Sequence, residues 1–146
     1  MHEIDWKRYA PLFTPGEFAC KCGCGIVHVH PEFIERLYQA RLIARKLVRH
    51  KYHDIGMGDM PFVINSGCRC PAHNASPSVR GARESAHITT SEKPGYAADI
   101  VATTGPRRFV IVESLLQAGF ERIQPRPDLG IVHSDNDPDK LRPWMG

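Results

Sequence analysis

The stretch SAHITTSEKPGYAAD, residues 85–99, places a histidine at position 87 and an aspartate at position 99. A second histidine, His133, follows at the end of a Gly-Ile-Val-His run. Imidazole and carboxylate groups are the ligands of catalytic zinc sites, which use three protein ligands and leave one position for water. The pattern predicts a metal site formed by His87, Asp99 and His133. With eight histidines in 146 residues, a combination of two histidines and an aspartate arises easily by chance. The evidence for a metal site must therefore come from the motifs around these three residues.

Length and composition indicate one globular domain over residues 1–146, whose first sixteen residues form an N-terminal arm with aromatic anchors. Hydrophobic residues make up 42% and charged residues 24%, which is ordinary for a globular protein. The net charge of +3 is too small to indicate nucleic-acid binding. We therefore expect a monomer with neither a nucleic-acid nor a membrane partner.

The sequence carries no apolar run of about 18 residues, so no membrane span is expected. The N-terminal MHEIDWKRYAPLF contains acidic residues and no apolar core, unlike a signal peptide. We expect synthesis in the cytoplasm, with any action at the cell wall depending on another route of release.

Hydrophobic periodicity predicts an α+β domain with a mostly antiparallel sheet and flanking helices. A helix is expected from Pro31 to His50, and a second one from Thr103 or Thr104 to Gly119. Short strands are expected at 26–29, 61–65, 96–102, 122–124 and 130–134.

Four ordered motifs resemble those of the peptidase M15 family, in the branch of zinc D-alanyl-D-alanine carboxypeptidases and phage endolysins. They are SGCRCPAHN at 66–74, GARESAH at 81–87, GYAADI at 95–100, and IVHSD at 131–135 with Trp144 after it. The early EFACKCGCG at 17–25 is similar to phage and prophage members of that branch. The resemblance covers about residues 13–144 and implies the M15 fold shared by hedgehog and DD-peptidase-like domains.

The resemblance implies roles for individual residues. It places the zinc ligands at His87, Asp99 and His133, and it gives Arg69 the task of binding a substrate carboxylate or carbonyl. The planar guanidinium suits that task because its N–H groups match a carboxylate. Ser85 is expected to support the site, or bind substrate there, through a hydrogen bond.

The chain departs from the family pattern in two places. Eleven residues separate His87 from Asp99, more than in the family, so residues 88–94 are expected to bulge as a flap at the cleft rim. In many relatives a carboxylate three residues before the last histidine serves as general base, but here that position is Gly130.

Two aspartates are candidates for the missing base, because peptide hydrolysis needs a group that accepts and relays a proton. Asp128 lies five residues before His133 in a proline-containing loop, and Asp135 lies two residues after it. On a strand, Asp135 shares a face with His133. We favour Asp128 as the base and expect Asp135 to orient a ligand histidine.

The five cysteines form a separate pattern. Two C-x-C pairs, Cys22 with Cys24 and Cys68 with Cys70, predict a structural zinc site of four thiolates, with Cys20 as a spare. Buried reduced cysteines and disulfides are the alternatives.

The sequence thus predicts a zinc metallopeptidase that cleaves peptidoglycan stem peptides. It would act as a D,D-carboxypeptidase or as an endopeptidase, such as a phage or prophage endolysin. One alternative is a catalytically inactive, zinc-bearing M15-like domain that binds the cell wall or serves assembly. Another is a nucleic-acid binder built on the cysteine pairs.

Overall fold

Two long helices and a five-stranded sheet make up most of the regular structure. The computed structural model describes residues 3–53 and 58–146. Its helices are a 3-10 turn at Trp6–Arg8, α1 at Pro15–Phe18, α2 at Pro31–His50, α3 at Pro71–Ala75 and α4 at Gly105–Gln117. Its strands are β1 at Ile64–Ser66, β2 at Ala97–Val101, β3 at Arg122–Arg126, β4 at Ile131–Asp135 and β5 at Trp144–Met145.

Helix α2 is the main helical support of the core, and its predicted bounds are confirmed. It begins at Pro31, where the missing N–H costs no hydrogen bond, and the His30 ring accepts a hydrogen bond from the Glu32 amide. Its buried face consists of Phe33, Ile34, Leu37, Ala40, Ala44, Leu47 and Val48. A fully buried side chain such as Leu37 contributes roughly 1.5–3 kcal/mol relative to an exposed one.

Helix α4 packs beside α2. Thr104 caps it by accepting a hydrogen bond from the Arg107 amide, and the helix ends at Gln117, two residues before the predicted end. Arg36 of α2 donates to the carbonyl of Gly119 at 2.7 Å and thereby ties the two helices together. Across residues 3–53 and 58–146, no helix combines the length and hydrophobicity needed to cross a membrane.

The sheet has the order β1-β2-β4-β3-β5, and only the β3–β5 pair is parallel. The predicted α+β class with a mostly antiparallel sheet is therefore confirmed. In the β2–β4 pair, Asp99 lies directly opposite His133, so both side chains project from the same face of the sheet. This register fixes the geometry of the site described below.

Three sequence predictions of strands are wrong in detail. The strand expected at 61–65 begins only at Ile64. Residues 26–29 form no strand and make only a single bridge between Val29 and Gly95. Strand β3 continues to Arg126, through Pro125, where a loop was expected. Because β5 pairs only with Arg122 and Ile123, the far part of β3 lies at a sheet edge, where proline is tolerated.

The segment expected to be an arm contributes to the core. Tyr9 and Phe13 are buried, and the Phe13 ring meets the Phe18 ring edge-on at 5.6 Å between centroids. Arg41 of α2 donates to the carbonyl of Leu12, so the N-terminal segment is attached to the long helix.

Candidate metal centre and cleft

Three side chains from separate segments converge beside the sheet. The Asp99 Oδ1 atom lies 2.9 Å from His133 Nδ1 and 3.2 Å from His87 Nε2, and the two ring nitrogens are 3.3 Å apart. Asp99 and His133 come from paired strands, whereas His87 comes from a turn before β2. The structure thus brings together the three residues that the sequence singled out.

In the neutral form of each ring, the hydrogen bond of its far nitrogen directs a lone pair into the gap between the two histidines. His87 Nδ1 lies 2.7 Å from the carbonyl oxygen of Gly67, which can only accept, so Nδ1 carries the proton and Nε2 is left as a lone pair. His133 Nε2 lies 2.7 Å from Asp135 Oδ2, which leaves Nδ1 facing Asp99. Two imidazole lone pairs and a carboxylate oxygen would repel one another unless a cation lay between them.

The donor distances fit a zinc ion. Tetrahedral zinc with bonds of about 2.0–2.1 Å to nitrogen and oxygen places neighbouring ligand atoms roughly 3.3 Å apart. The three observed separations run from 2.9 to 3.3 Å. Two histidines and one aspartate also leave the fourth position open, as catalytic zinc sites do.

The pKa values of the three groups show a site that attracts positive charge. Burial alone would raise the pKa of Asp99, but His87 and His133 outweigh burial and hold it far below its usual value. Burial would also lower the pKa of His133, but its hydrogen bonds to Asp135 and Asp99 raise it to about 9. Burial lowers the pKa of His87, which stays neutral. Without metal, a proton on His133 therefore supplies the cation, and a metal ion would replace that proton.

Arg69 holds the outer oxygen of the central carboxylate. Its Nη2 donates to Asp99 Oδ2 at 3.1 Å, its Nε to Ser66 Oγ at 3.0 Å, and its Nη1 to Asn74 Oδ1 at 3.2 Å. A guanidinium has five N–H donors, so one remains on each terminal nitrogen. Arg69 is also one of the residues that line the cleft.

Ser85 shapes the turn that presents His87. Its Oγ accepts a hydrogen bond from the His87 amide at 3.2 Å, and Ser85 itself lines the cleft. The backbone of Arg69 pairs with this turn, since its amide donates to the His87 carbonyl at 2.9 Å. Asn74 donates to the Ala82 carbonyl at 2.9 Å and thus fixes the loop opposite.

Asp128, the base that the sequence favoured, lies on the β3–β4 turn and is exposed. Both of its oxygens are paired with Arg126, at 2.8 and 3.0 Å, and this guanidinium lowers the pKa of Asp128. Arg126 and Leu129 line the cleft, but Asp128 is not among the lining residues. Gly130 closes the turn with φ of +65°, a conformation that a carboxylate residue would adopt only with strain.

Asp135, the other candidate, is buried and lines the cleft. Its Oδ2 contacts His133, and its Oδ1 accepts from Arg122 Nε at 2.9 Å. Burial would raise the pKa of Asp135, but the hydrogen bond and charge of His133 outweigh it, so the carboxyl is ionised. The structure therefore places Asp135 where it orients His133.

The cleft has a volume of about 330 Å³ and is rich in cationic side chains. Its lining includes Arg69, Arg80, Arg122, Arg126 and Lys140 against the two carboxylates Asp99 and Asp135. Trp144 forms part of one wall, with the Arg122 guanidinium 4.5 Å from its ring centre. Apart from Arg69, the sequence reasoning missed these basic residues. A signal was available for Arg122 and Arg126, because they alternate with Ile123 and Pro125 at the period of a strand.

Residues 88–94 do not form the expected flap at the cleft rim. None of them lines the cleft, and the segment instead contacts His28. The His28 ring contacts the Thr90 carbonyl at 2.9 Å, and Gly95 donates to the His28 carbonyl at 2.7 Å. Thr89 is buried, whereas residues 91–93 are exposed, so the segment is packed at its start and reaches the surface outside the cleft lining.

The predicted cysteine group of Cys22, Cys24, Cys68 and Cys70 is wrong in one member. The structure gathers Cys20, Cys22, Cys24 and Cys70, whose sulfurs all lie within 4.8 Å of one another. Cys68 instead belongs to the hydrophobic core, where burial raises the pKa of its thiol. The chain turns into α3 directly after Cys70, so the two cysteines of this pair face different surroundings.

A largely buried His-His-Asp set in a cleft beside a mostly antiparallel sheet defines a candidate metal-dependent hydrolase. The chain matches the profile of the family described as Peptidase M15 over residues 11–132, most of its length, and it belongs to that family. His87 and Asp99 lie inside the match, and His133 follows one residue after its end. Neither the curated proteins nor the solved structures include a match to this chain.

We expect Asp99→Ala to bind one equivalent of zinc fewer than the wild-type protein, because it removes the anionic ligand and leaves the two rings without their shared partner. Zinc content after dialysis, measured by inductively coupled plasma mass spectrometry, checks this. Asp128→Ala, which removes an exposed aspartate outside the cleft, is the matched control and should keep the full content. Unchanged zinc in Asp99→Ala would mean that the ion binds elsewhere.

Proposed function

We propose that this protein is a zinc-dependent peptidase that hydrolyses the stem peptides of peptidoglycan. Membership of a peptidase family makes hydrolysis of a peptide bond the general reaction. The observation that carries the metal assignment is the convergence of His87 Nε2, Asp99 Oδ1 and His133 Nδ1, with the far nitrogen of each ring held by its own acceptor.

The chain's own residues hold and tune such an ion. His87, Asp99 and His133 would bind zinc, which when bound supplies Lewis-acid activation of the scissile carbonyl and of a water molecule. The Gly67 carbonyl and Asp135 keep the two rings in the required tautomers. Arg69 neutralises the outer oxygen of Asp99 and keeps two N–H groups for a substrate carboxylate or carbonyl oxygen.

We assign the proton acceptor to Asp135 in preference to Asp128. Among the described residues that line the cleft, the carboxylates are Asp99 and Asp135, and Asp99 is already a proposed ligand. Each carboxylate oxygen can accept two hydrogen bonds, so Asp135 Oδ2 keeps one lone pair beyond its contact with His133. Because that contact is to the ring nitrogen remote from the proposed ion, a water molecule in the cleft would relay the proton to Asp135. Ser85 remains a candidate for holding the substrate backbone, because it lines the same cleft.

The charge of the cleft supports an anionic peptide as substrate. Arg69, Arg122 and Arg126 are paired with Asp99, Asp135 and Asp128, respectively. Arg80 and Lys140 line the cleft without a carboxylate partner among the ion pairs of the described residues. Peptidoglycan stem peptides carry free carboxylates, which these two cations would attract, while Trp144 offers an apolar wall for small side chains. Such chemistry serves a D,D-carboxypeptidase and an endopeptidase of the endolysin kind alike.

Incubation of zinc-loaded protein with purified peptidoglycan should release products that mass spectrometry identifies, and a chelator should abolish their release. Free D-alanine would define a carboxypeptidase, whereas cleavage within the stem or cross-bridge would define an endopeptidase. Absence of products from several wall types, with zinc bound at the proposed site, would contradict a peptidase. It would indicate an inactive zinc-bearing module for wall binding or assembly. This is the alternative suggested by Gly130, which stands where many relatives have the general base.

The assignment of Asp135 predicts a difference between two aspartate variants. Asp135→Asn should lower kcat by a factor of about 10² or more. The substitution removes the proposed proton acceptor, and general-base catalysis usually contributes a rate factor of that size. Asp128→Asn should stay within about threefold of wild type, because the turn carboxylate pairs only with Arg126. Steady-state rates on a soluble stem peptide check both variants. A large loss in Asp128→Asn with little change in Asp135→Asn would reverse the assignment.

A further inference from the structure

We propose that Cys20, Cys22, Cys24 and Cys70 bind a second, structural zinc ion that ties the N-terminal loop to the segment carrying Arg69. This site is separate from the histidine–aspartate centre and does not depend on the protein being a peptidase. Its four ligands would all be thiolates, whereas the first site has none.

The sulfur positions fit four-coordinate zinc better than disulfides. Cys22 Sγ lies 3.5 Å from Cys20 Sγ and 3.6 Å from Cys70 Sγ, and all four sulfurs fall within 4.8 Å of one another. Tetrahedral zinc with sulfur bonds of about 2.3 Å separates neighbouring sulfurs by roughly 3.8 Å. A disulfide needs about 2.05 Å between two sulfurs, much less than the separations of 3.5 and 3.6 Å observed here. The four sulfurs therefore surround a space of the size of one ion.

The local backbone is folded so that three cysteines of a short loop face the same point. The amide of Cys20 donates to the carbonyl of Ile26 at 2.9 Å, which closes the loop. Gly23 lies between Cys22 and Cys24 with φ of +99°, a conformation that glycine adopts without steric cost. This turn allows both neighbouring thiols to face Cys20.

Ordinary packing accounts for the buried Cys20 but not for the thiols of Cys22 and Cys24. Cys22 and Cys24 are exposed, and neither belongs to the hydrophobic core, in contrast to Cys68. Exposed cysteines gathered around one point gain nothing from burial, so a shared ligand explains the arrangement better. Residues 20–25 form turns and no helix or strand, so regular secondary structure does not fix the conformation of this loop.

Backbone N–H groups also point at the sulfurs, as expected for thiolates. The amide of Cys70 lies 3.4 Å from Cys20 Sγ, and the amide of His73 lies 3.4 Å from Cys70 Sγ. Hydrogen bonds from N–H groups to sulfur favour the charged form, which is the form that binds metal.

The consequence of the second ion concerns Arg69. Cys70 follows Arg69 directly, and the preceding Cys68 amide donates to the Phe18 carbonyl at 2.8 Å. A zinc ion on Cys70 and the loop cysteines would join the two segments at a second point beside this hydrogen bond. Arg69, which holds Asp99 at 3.1 Å, would then be fixed from both sides of its own backbone.

Cobalt substitution tests this site independently of peptidase activity. Metal-free, reduced full-length protein titrated with Co²⁺ should develop sulfur-to-cobalt charge-transfer absorption in the near ultraviolet, which a site of nitrogen and oxygen ligands does not give. Cys24→Ser should lose at least half of this absorption and one equivalent of zinc. Cys68→Ala, which changes a cysteine outside the group, should keep both the absorption and the zinc. Asp99→Ala, which removes a ligand of the other site, should keep the charge-transfer absorption.

Three results would overturn the second site. The first is wild-type protein without the charge-transfer band under reducing conditions, and the second is a Cys24→Ser band as strong as that of the wild type. The third is an intact mass lowered by two hydrogens per disulfide in protein purified without added oxidant. If Cys24→Ser does not fold, chelator added to Asp99→Ala should lower its melting temperature, and an unchanged melting temperature would contradict the proposal. An inactive enzyme that shows the band would overturn only the peptidase function.

Discussion

The buried negative charge of Asp99 is the constraint to which the surrounding structure is fitted. A carboxylate in the interior is costly unless charged and hydrogen-bonding groups surround it. Here one oxygen meets both imidazoles and the other meets Arg69. Ser66 and Asn74 in turn hold Arg69, and the Gly67 carbonyl holds His87, so the loop between β1 and α3 is organised around this one charge.

Folding stability alone does not account for this cluster of buried charges, whereas metal binding does. Replacing buried ion pairs by apolar residues often leaves a protein as stable or more stable. Clusters of buried charged groups are therefore typical of functional sites. The β2–β4 register supplies Asp99 and His133 from rigid strands, and Asp135 orients the second ring. Only His87 comes from a turn, and backbone hydrogen bonds to Arg69 hold that turn.

Much of this structure followed from the sequence where periodicity is strong. The bounds of the helix Pro31–His50 follow from its apolar stripe and initial proline, and the placement of Asp135 beside His133 follows from the period of two in a strand. Turns carry no such period, so the sequence could not show that Asp128 pairs with Arg126 and lies outside the cleft. Nor could the spacing of the cysteines show that Cys68 enters the core while Cys20 joins the other three, because that choice depends on tertiary packing.

Anomalous diffraction at the zinc edge from crystals of the zinc-loaded protein tests the central claim most directly. The account predicts a peak bounded by His87 Nε2, Asp99 Oδ1 and His133 Nδ1, with Asp135 hydrogen-bonded to the far nitrogen of His133. A peak coordinated by Asp135 or Asp128 in place of Asp99, or no peak among these three side chains, would contradict it.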